Sequence, residues 1–150
     1  MKIGVVFPTR FDDPGEFLAD ARAIETAGVD SVWLHWDDGG LELVLLASMA
    51  AVTSQLRLGL IAEGGRGAGF DQRQIQMLQW LSRNRVVESS SERWQPVDVP
   101  SDRDAWAATL ERAERDGAHG VLVPFGPRLL DILRHPEDAI DRSDLQLAQG

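Results

Sequence analysis

One histidine offers the plainest acid–base chemistry in this sequence. His35 directly follows the apolar run at residues 31–34 and precedes Trp36 and Asp37. An imidazole titrates near neutral pH, so His35 is our candidate catalytic residue, donating to a substrate oxygen or accepting a proton. The alternative is a histidine at a strand end that is satisfied by a backbone carbonyl. His35 and Asp37 together would supply two metal ligands, and no third is evident beside them.

A glycine-rich segment at residues 64–69 is a candidate anion site. Backbone amides of Gly64 and Gly65 can cradle a phosphate, with Arg66 supplying positive charge. The segment does not have the dinucleotide-binding spacing, because Phe70 stands where the third glycine belongs, and it contains no Walker lysine. A flexible loop without a ligand is the alternative.

A second candidate anion site opens the last predicted helix. Gly126 precedes Pro127, and Arg128 follows in the first turn. The free amides of a helix start and a nearby guanidinium group suit an anion, and barrel enzymes often bind phosphate near their final strands. The alternative is an ordinary helix start with Arg128 exposed to water or paired with a carboxylate.

These residues are positioned by alternating strand and helix patterns. Asp13 and Glu16 predict the start of the first helix and Gly28 its end. Strands are predicted at residues 1–8, 31–35, 56–62, 85–88 and 120–124, with a further short one at 97–99. Helices are predicted at 13–27, 41–53, 71–82, 102–116 (capped by Ser101) and 127–133. Side chains predicted to be buried include Trp33, Ile75, Leu78, Trp80, Leu81 and Trp106.

Two segments of the chain repeat one pattern. Residues 25–34 and 114–123 each contain a helix end, a glycine, two further residues and a buried strand. Strands separated by helices pair in parallel with right-handed crossovers. The carboxyl ends of the strands then meet at one edge, which is where such folds bind ligands. His35, Arg66 and Arg128 all fall at that edge.

Composition excludes several classes of protein. The 150 residues contain no cysteine, which rules out disulfides, thiolate zinc sites and cysteine nucleophiles and is compatible with a cytoplasmic location. The net charge of −9 disfavours nucleic acid as a partner. The longest apolar stretch, 41–52, is too short to span a membrane, and the N-terminus lacks the pattern of a signal peptide.

Several blocks of sequence resemble one known family. Residues 1–8, 27–34 and 51–59 (AVTSQLRLG) are similar to the luciferase-like monooxygenases, and residues 77–86 resemble that family's LDxLSxGRV stretch. The likeness covers residues 1–88 in order and resumes at 106–136. The family includes bacterial luciferase and enzymes that use FMN or the deazaflavin coenzyme F-420.

The resemblance implies an α/β fold, a shortened (β/α) TIM-barrel-like parallel sheet of five or six strand–helix units. A complete eight-unit barrel takes about 250 residues, so the units between the fourth and last strands are missing. It also implies an oxidoreductase or monooxygenase that holds FMN or coenzyme F-420 through Gly64, Gly65, Arg66, Gly126 and Arg128, with Trp36 stacking on the ring. The segment 88–92 (ESSSE) replaces the glycines that relatives carry after strand four.

An alternative function is a non-catalytic descendant of the family, a small binding, regulatory or structural protein. We expect one domain over residues 1–136 and a polar, mobile tail over 137–150. The open edges of a shortened sheet predict a homodimer. A small molecule is the other expected partner.

Overall fold

The computed structural model describes residues 1–37, 40–62, 71–87 and 92–134, in which strands and helices alternate along the chain. The strands are β1 (Lys2–Val6), β2 (Ser31–His35), β3 (Arg57–Ile61), β4 (Trp94–Pro96) and β5 (Gly120–Pro124). The helices are α1 (Pro14–Thr26), α2 (Leu41–Val52), α3 (Gln72–Leu81), α4 (Arg103–Arg115) and α5 (Pro127–Leu133).

All five strands belong to one parallel sheet in the order β3-β2-β1-β5-β4. Beyond β3, Val86 adds one parallel bridge to Leu58. The sheet curls into a half-barrel that alternates with helices, which confirms the predicted shortened (β/α) barrel-like fold. Because β1 lies in the middle, residues from both halves of the chain flank it.

The main hydrophobic core lies between the outer face of the sheet and the helices. Phe7, just after β1, packs against Phe17 of α1 with ring centroids 5.7 Å apart and stacks on Phe125 at 4.4 Å. The strands contribute alternate residues and the helices one stripe each. Fully buried members include Val5, Ala21, Ile24, Val32, Leu34, Leu46, Met49, Leu58, Val121, Val123 and Leu129.

Helices α1 and α4 end in the same way, as the internal similarity predicts. Gly28 donates its N–H to the Glu25 carbonyl and Gly117 donates to the Glu114 carbonyl, each at 3.0 Å. Both glycines have left-handed φ angles, 82° and 75°. A side chain at either position would strain the turn that leads into β2 or β5.

Two side chains fix the turn between α2 and β3. The Glu25 carboxylate accepts the backbone N–H groups of residues 54–56 at 2.6 to 2.9 Å. The Arg85 guanidinium group donates to the carbonyls of Ala50 at 2.7 Å and Leu56 at 3.0 Å. The carbonyls at the C-terminal end of α2 are thereby satisfied by a charged group, so Arg85 of the family-like stretch is a structural residue.

Two predicted strands differ in the structure. Only Val86 of the segment 85–88 bridges to the sheet, and Glu88 lies outside the described residues. The short strand predicted at 97–99 lies instead at Trp94–Pro96. Its position follows from a distant contact, the Trp94 ring on Trp33 at 5.1 Å, which a local pattern does not contain.

The predicted inner face of α3 is partly wrong. Leu78 is buried and Ile75 is half-buried, as predicted, but Leu81 is 54% exposed and Trp80 is 75% exposed. No described element covers the far side of this helix, so the apolar residues there face solvent. The predicted burial of Trp33 and Trp106 is confirmed.

The start of α4 also differs by one residue. Asp102, not Ser101, caps the helix: its carboxylate accepts the N–H of Ala105 at 2.8 Å. The Ser101 hydroxyl instead donates to that carboxylate at 2.9 Å. The aspartate is the stronger acceptor for an amide at a helix start.

In the described residues, no helix has both the length and the apolar character that a membrane crossing requires. The predicted tail, residues 137–150, lies outside the described part of the chain. The assignment of residues 1–136 to a single domain stays a prediction.

Candidate functional site

The first and last residues of every strand point to the inner side of the half-barrel. Successive side chains of a strand alternate between the two faces of the sheet. Four strands have five residues and β4 has three, so the two end residues of each strand lie on the same face. A second, small hydrophobic cluster fills the middle of this face. Its members are Trp33, Val87 and Leu122, with Val6, Ile61 and Trp94 packed against them.

Two tryptophan rings fill the inner side of the half-barrel, and three strands have a glycine where these rings lie against the sheet. The rings of Trp33 and Trp94 meet edge to face at 5.1 Å and 62°. A Cβ atom on Gly59 would overlap the Trp33 indole, and one on Gly120 would overlap Trp94. A Cβ on Gly4 would lie 2.7 Å from Nε1 of Trp33. These glycines permit close approach of the rings to the sheet, and the rings close the interior.

A cavity of about 370 Å³ opens at the carboxyl ends of the strands. The last residue of every strand lines it, which matches the edge where the sequence predicts ligand binding. The lining consists of Val6, His35, Ile61, Pro96, Val97, Asp98, Leu122 and Pro124. Six of these eight residues are apolar, so the cavity suits a ring or short hydrocarbon more than a sugar.

His35 and Asp98 are the polar residues of the cavity lining. Both side chains are exposed to solvent. The imidazole can donate to an acceptor at the edge of a bound ring, or accept a proton from it. The Asp98 carboxylate repels an anionic group placed beside it and attracts a cationic one.

Charged side chains close the inner side of the half-barrel at the amino ends of the strands, opposite the cavity. The Glu92 carboxylate accepts from Lys2 Nζ at the start of β1 and from Arg57 at 2.8 Å, and Arg57 also donates to Asp30 at 3.0 Å. Hydrogen bonds from Arg57 and Lys2 lower the pKa of Glu92 to about 2. Each charge has an opposite partner, so this end ties strands together and is not an open binding site.

A buried carboxyl group lies close to the carboxyl end of β2. Glu42, in the first turn of α2, has no exposed surface. Burial raises its pKa, and the neighbouring Asp37 carboxyl adds to the shift by hydrogen bonding and charge. Glu42 therefore keeps its proton to a higher pH than a glutamate in water.

The predicted site residues that the structure describes lie at different positions around the carboxyl edge of the sheet. His35 lines the cavity, whereas Trp36 packs against the main core and is not part of the described lining. Gly126 and the exposed Arg128 follow β5, on the far side of β1 from His35. Strand spacing puts the ends of β2 and β5 about 10 Å apart. The proposed cofactor roles of Trp36, Gly126 and Arg128 stay predictions.

Gly64, Gly65 and Arg66 lie outside the described residues, so their predicted role is not tested. Among the described residues, no group of three or more histidine, aspartate or glutamate side chains could hold a metal ion.

Sequence reasoning missed the wall that β4 adds to the cavity. Pro96, Val97 and Asp98 line it, although the chain from residue 89 to 100 showed no clear pattern. One available signal was the glycine inside each of three strands, Gly4, Gly59 and Gly120, because a glycine inside a strand marks close approach of another group. These glycines leave room above the sheet for large side chains such as those of Trp33 and Trp94.

Comparison with family models gives no match for this chain, and comparisons with curated proteins and with solved structures give none either.

Proposed function

We propose that this protein binds a planar, largely apolar ring in the carboxyl-end cavity, as a shortened relative of the luciferase-like flavin enzymes. The observation that supports the proposal is the cavity itself: all five strands end at its wall, and His35 offers a hydrogen bond there. The family resemblance of residues 1–88 makes FMN and coenzyme F-420 the first ligands to test.

A catalytic form of this proposal is a flavin- or deazaflavin-dependent oxidoreductase or monooxygenase. His35 would hydrogen-bond to the ring edge or take a proton from the substrate. Gly126 and Arg128 follow β5, about 10 Å from His35 across β1, and in this proposal they would meet the phosphate end of the ligand. Trp36 and the segment Gly64, Gly65 and Arg66 remain further candidates for cofactor contacts.

A non-catalytic binding or regulatory protein is the second candidate function. Two observations favour it. In the described residues, no strand continues the wall beyond β4 or beyond Val86, so the described sheet forms only half a barrel around the cavity. Asp98 also places a carboxylate at the mouth, where it would repel the phosphate of FMN. Both features weaken cofactor binding without removing the apolar cavity, which a smaller ligand can still fill.

Titration with FMN and with coenzyme F-420 tests ligand binding. Trp33 and Trp94 lie on the same inner face as the cavity, so we expect a bound flavin to quench tryptophan fluorescence. His35→Ala should weaken binding by about tenfold, the value of one hydrogen bond to a polar ligand atom. The control is Glu111→Ala, an exposed position of α4 outside the cavity lining. Equal binding by wild type and His35→Ala, or no binding of either ligand, contradicts the proposal.

We also propose that the protein is a cytoplasmic homodimer. In the described residues β4 forms one edge of the sheet and Val86 the other, and an unpaired edge invites association. Light scattering should give twice the 16.5 kDa mass of the chain. A particle of 16.5 kDa at micromolar concentration contradicts the dimer.

A further inference from the structure

The described lining of the carboxyl-end cavity contains a carboxylate but no lysine or arginine. Asp98 supplies the carboxylate, and His35 is the other polar residue. A neutral imidazole presents one donor and one acceptor nitrogen. Among these residues an anionic ligand group finds no guanidinium or ammonium partner, whereas a cationic group finds Asp98.

Asp98 and His35 lie on opposite sides of the cavity. Side chains alternate along a strand, so Asp98 continues the inner-facing row of Trp94 and Pro96 on β4. His35 ends β2, and β1 and β5 lie between β2 and β4 in the sheet. Three strand spacings make about 14 Å measured along the sheet, and the curl of the sheet shortens the direct path. A ligand that contacts both residues therefore has a polar group at each end.

Between these two ends the cavity is apolar. Val6, Ile61 and Leu122 line it and also pack in the small hydrophobic cluster that contains Trp33. The volume of about 370 Å³ is near the lower limit of ligand pockets, which span about 300–1,000 Å³. The cavity therefore suits a single ring with short substituents better than three fused rings with a phosphorylated chain.

We infer that the ligand of this cavity is an aromatic amine, a single ring with an ammonium group at the Asp98 end and a hydrogen-bonding group at the His35 end. The inference rests on the proposed function, the binding of a largely apolar ring, and names the class of ring. An ammonium group has three N–H donors and no acceptor, so a carboxylate is its natural partner. A phenolic hydroxyl both donates and accepts, so it matches either nitrogen of the imidazole. The net charge of −9 adds a long-range attraction for cations.

Four matched ligands test each part of this assignment. Tyramine has both polar ends, para-ethylphenol lacks the ammonium group, phenethylamine lacks the hydroxyl group, and desaminotyrosine carries a carboxylate instead of the amine. Tyramine should bind about fivefold more tightly than para-ethylphenol, the value of one exposed ion pair. Desaminotyrosine should bind most weakly, because Asp98 repels its carboxylate. Magnetic resonance titration of isotope-labelled protein measures each dissociation constant, and shifts of the Val97 and Leu122 signals verify that binding is in the cavity.

Two variants test the two polar residues. Asp98→Asn should weaken tyramine binding about fivefold and leave para-ethylphenol binding unchanged. Glu111→Gln is the matched control, since it removes the same charge from an exposed position of α4 outside the cavity lining. His35→Ala should weaken the two phenols more than phenethylamine, which has no hydroxyl group. Added salt should weaken the binding of tyramine and not that of para-ethylphenol.

The outcomes separate the aromatic amine from the proposed function. Equal affinities for tyramine and para-ethylphenol, or tighter binding of desaminotyrosine, overturn the aromatic amine and leave ring binding in place. A preference for tyramine that persists in folded Asp98→Asn overturns it as well. If FMN or coenzyme F-420 binds and none of the four ligands does, this inference alone is wrong. If none of these ligands binds the wild type, the proposed function is wrong with it. The comparison of ligands on the wild type is decisive even if a variant fails to fold.

Discussion

The most unusual single residue is a glutamate with no solvent contact. Glu42 lies in the first turn of α2, where the partial positive charge of a helix start favours an acid, but burial and the Asp37 carboxyl oppose its ionisation. A raised folded pKa means that the native state binds its proton more tightly than the unfolded state. Stability therefore falls as pH rises from the unfolded value of 4.5 through the folded pKa.

We predict that Glu42→Gln stabilises the protein at neutral and alkaline pH. The amide keeps the shape of the protonated acid and carries no charge to bury. Urea unfolding at pH 4 and at pH 8 measures the effect. The gain should be small at pH 4, where the native glutamate is protonated, and larger at pH 8. Glu111→Gln, on the exposed side of α4, should show no such pH dependence.

The pH dependence of stability that Glu92 contributes has the opposite sign. Its pKa is lowered to about 2 by Arg57 and Lys2, so the native state prefers the ionised form. This contribution is present above the unfolded value of 4.5 and is lost as pH falls from 4.5 toward 2. We predict that Glu92→Gln lowers the free energy of unfolding by about 2 kcal/mol at pH 7 and by much less at pH 3. An equal loss at both pH values, measured by urea unfolding, would show that the charge is not the cause.

At the scale of the strands, the packing of tryptophan on glycine can be tested directly. Gly59→Ala would drive a methyl group into the Trp33 indole, so we predict a loss of about 2 kcal/mol or more in the free energy of unfolding. Gly126→Ala is the matched control, because its Cβ would meet no atom within 4 Å. Thermal melts of the two variants give the comparison, and equal midpoints would contradict this account of the inner side.

Elements whose sequence signals lie within a few neighbouring residues were predicted from the sequence. These elements include the helix ends at Gly28 and Gly117, the helix starts at Asp13 and Asp71, and the apolar runs that form β1, β2 and β5. Asn84, which follows α3, has a φ of 62°, in the left-handed region that asparagine tolerates.

Elements defined by distant partners were predicted at the wrong position or with the wrong buried face. β4 contains no regular alternation, and it is a strand because β5 offers an edge and the Trp94 ring reaches Trp33. Periodicity also cannot tell which side of α3 lacks a neighbour, so Leu81 and Trp80 were predicted to be buried. For the site, the sequence located His35 at the correct edge of the sheet, whereas the cavity wall from Pro96 to Asp98 depends on where β4 pairs.

At the scale of the whole molecule, the proposed homodimer would make stability depend on concentration. Association of native chains favours the folded state by mass action, so the melting temperature would rise with protein concentration. We predict such a rise for the wild type. Differential scanning calorimetry over a hundredfold concentration range measures it, and a constant wild-type midpoint would argue against association through any surface.

The central place of β1 in the sheet has a consequence for synthesis on the ribosome. Lys2 pairs with Gly120 and Val6 with Pro124, so β1 lacks one neighbour until β5 has been translated. At about 5–20 residues per second, that interval is on the order of ten seconds. Once residues 41–52 have emerged, the nascent chain presents an unpaired strand edge and the apolar α2 segment together. We expect such a nascent chain to bind a chaperone that recognises extended apolar segments.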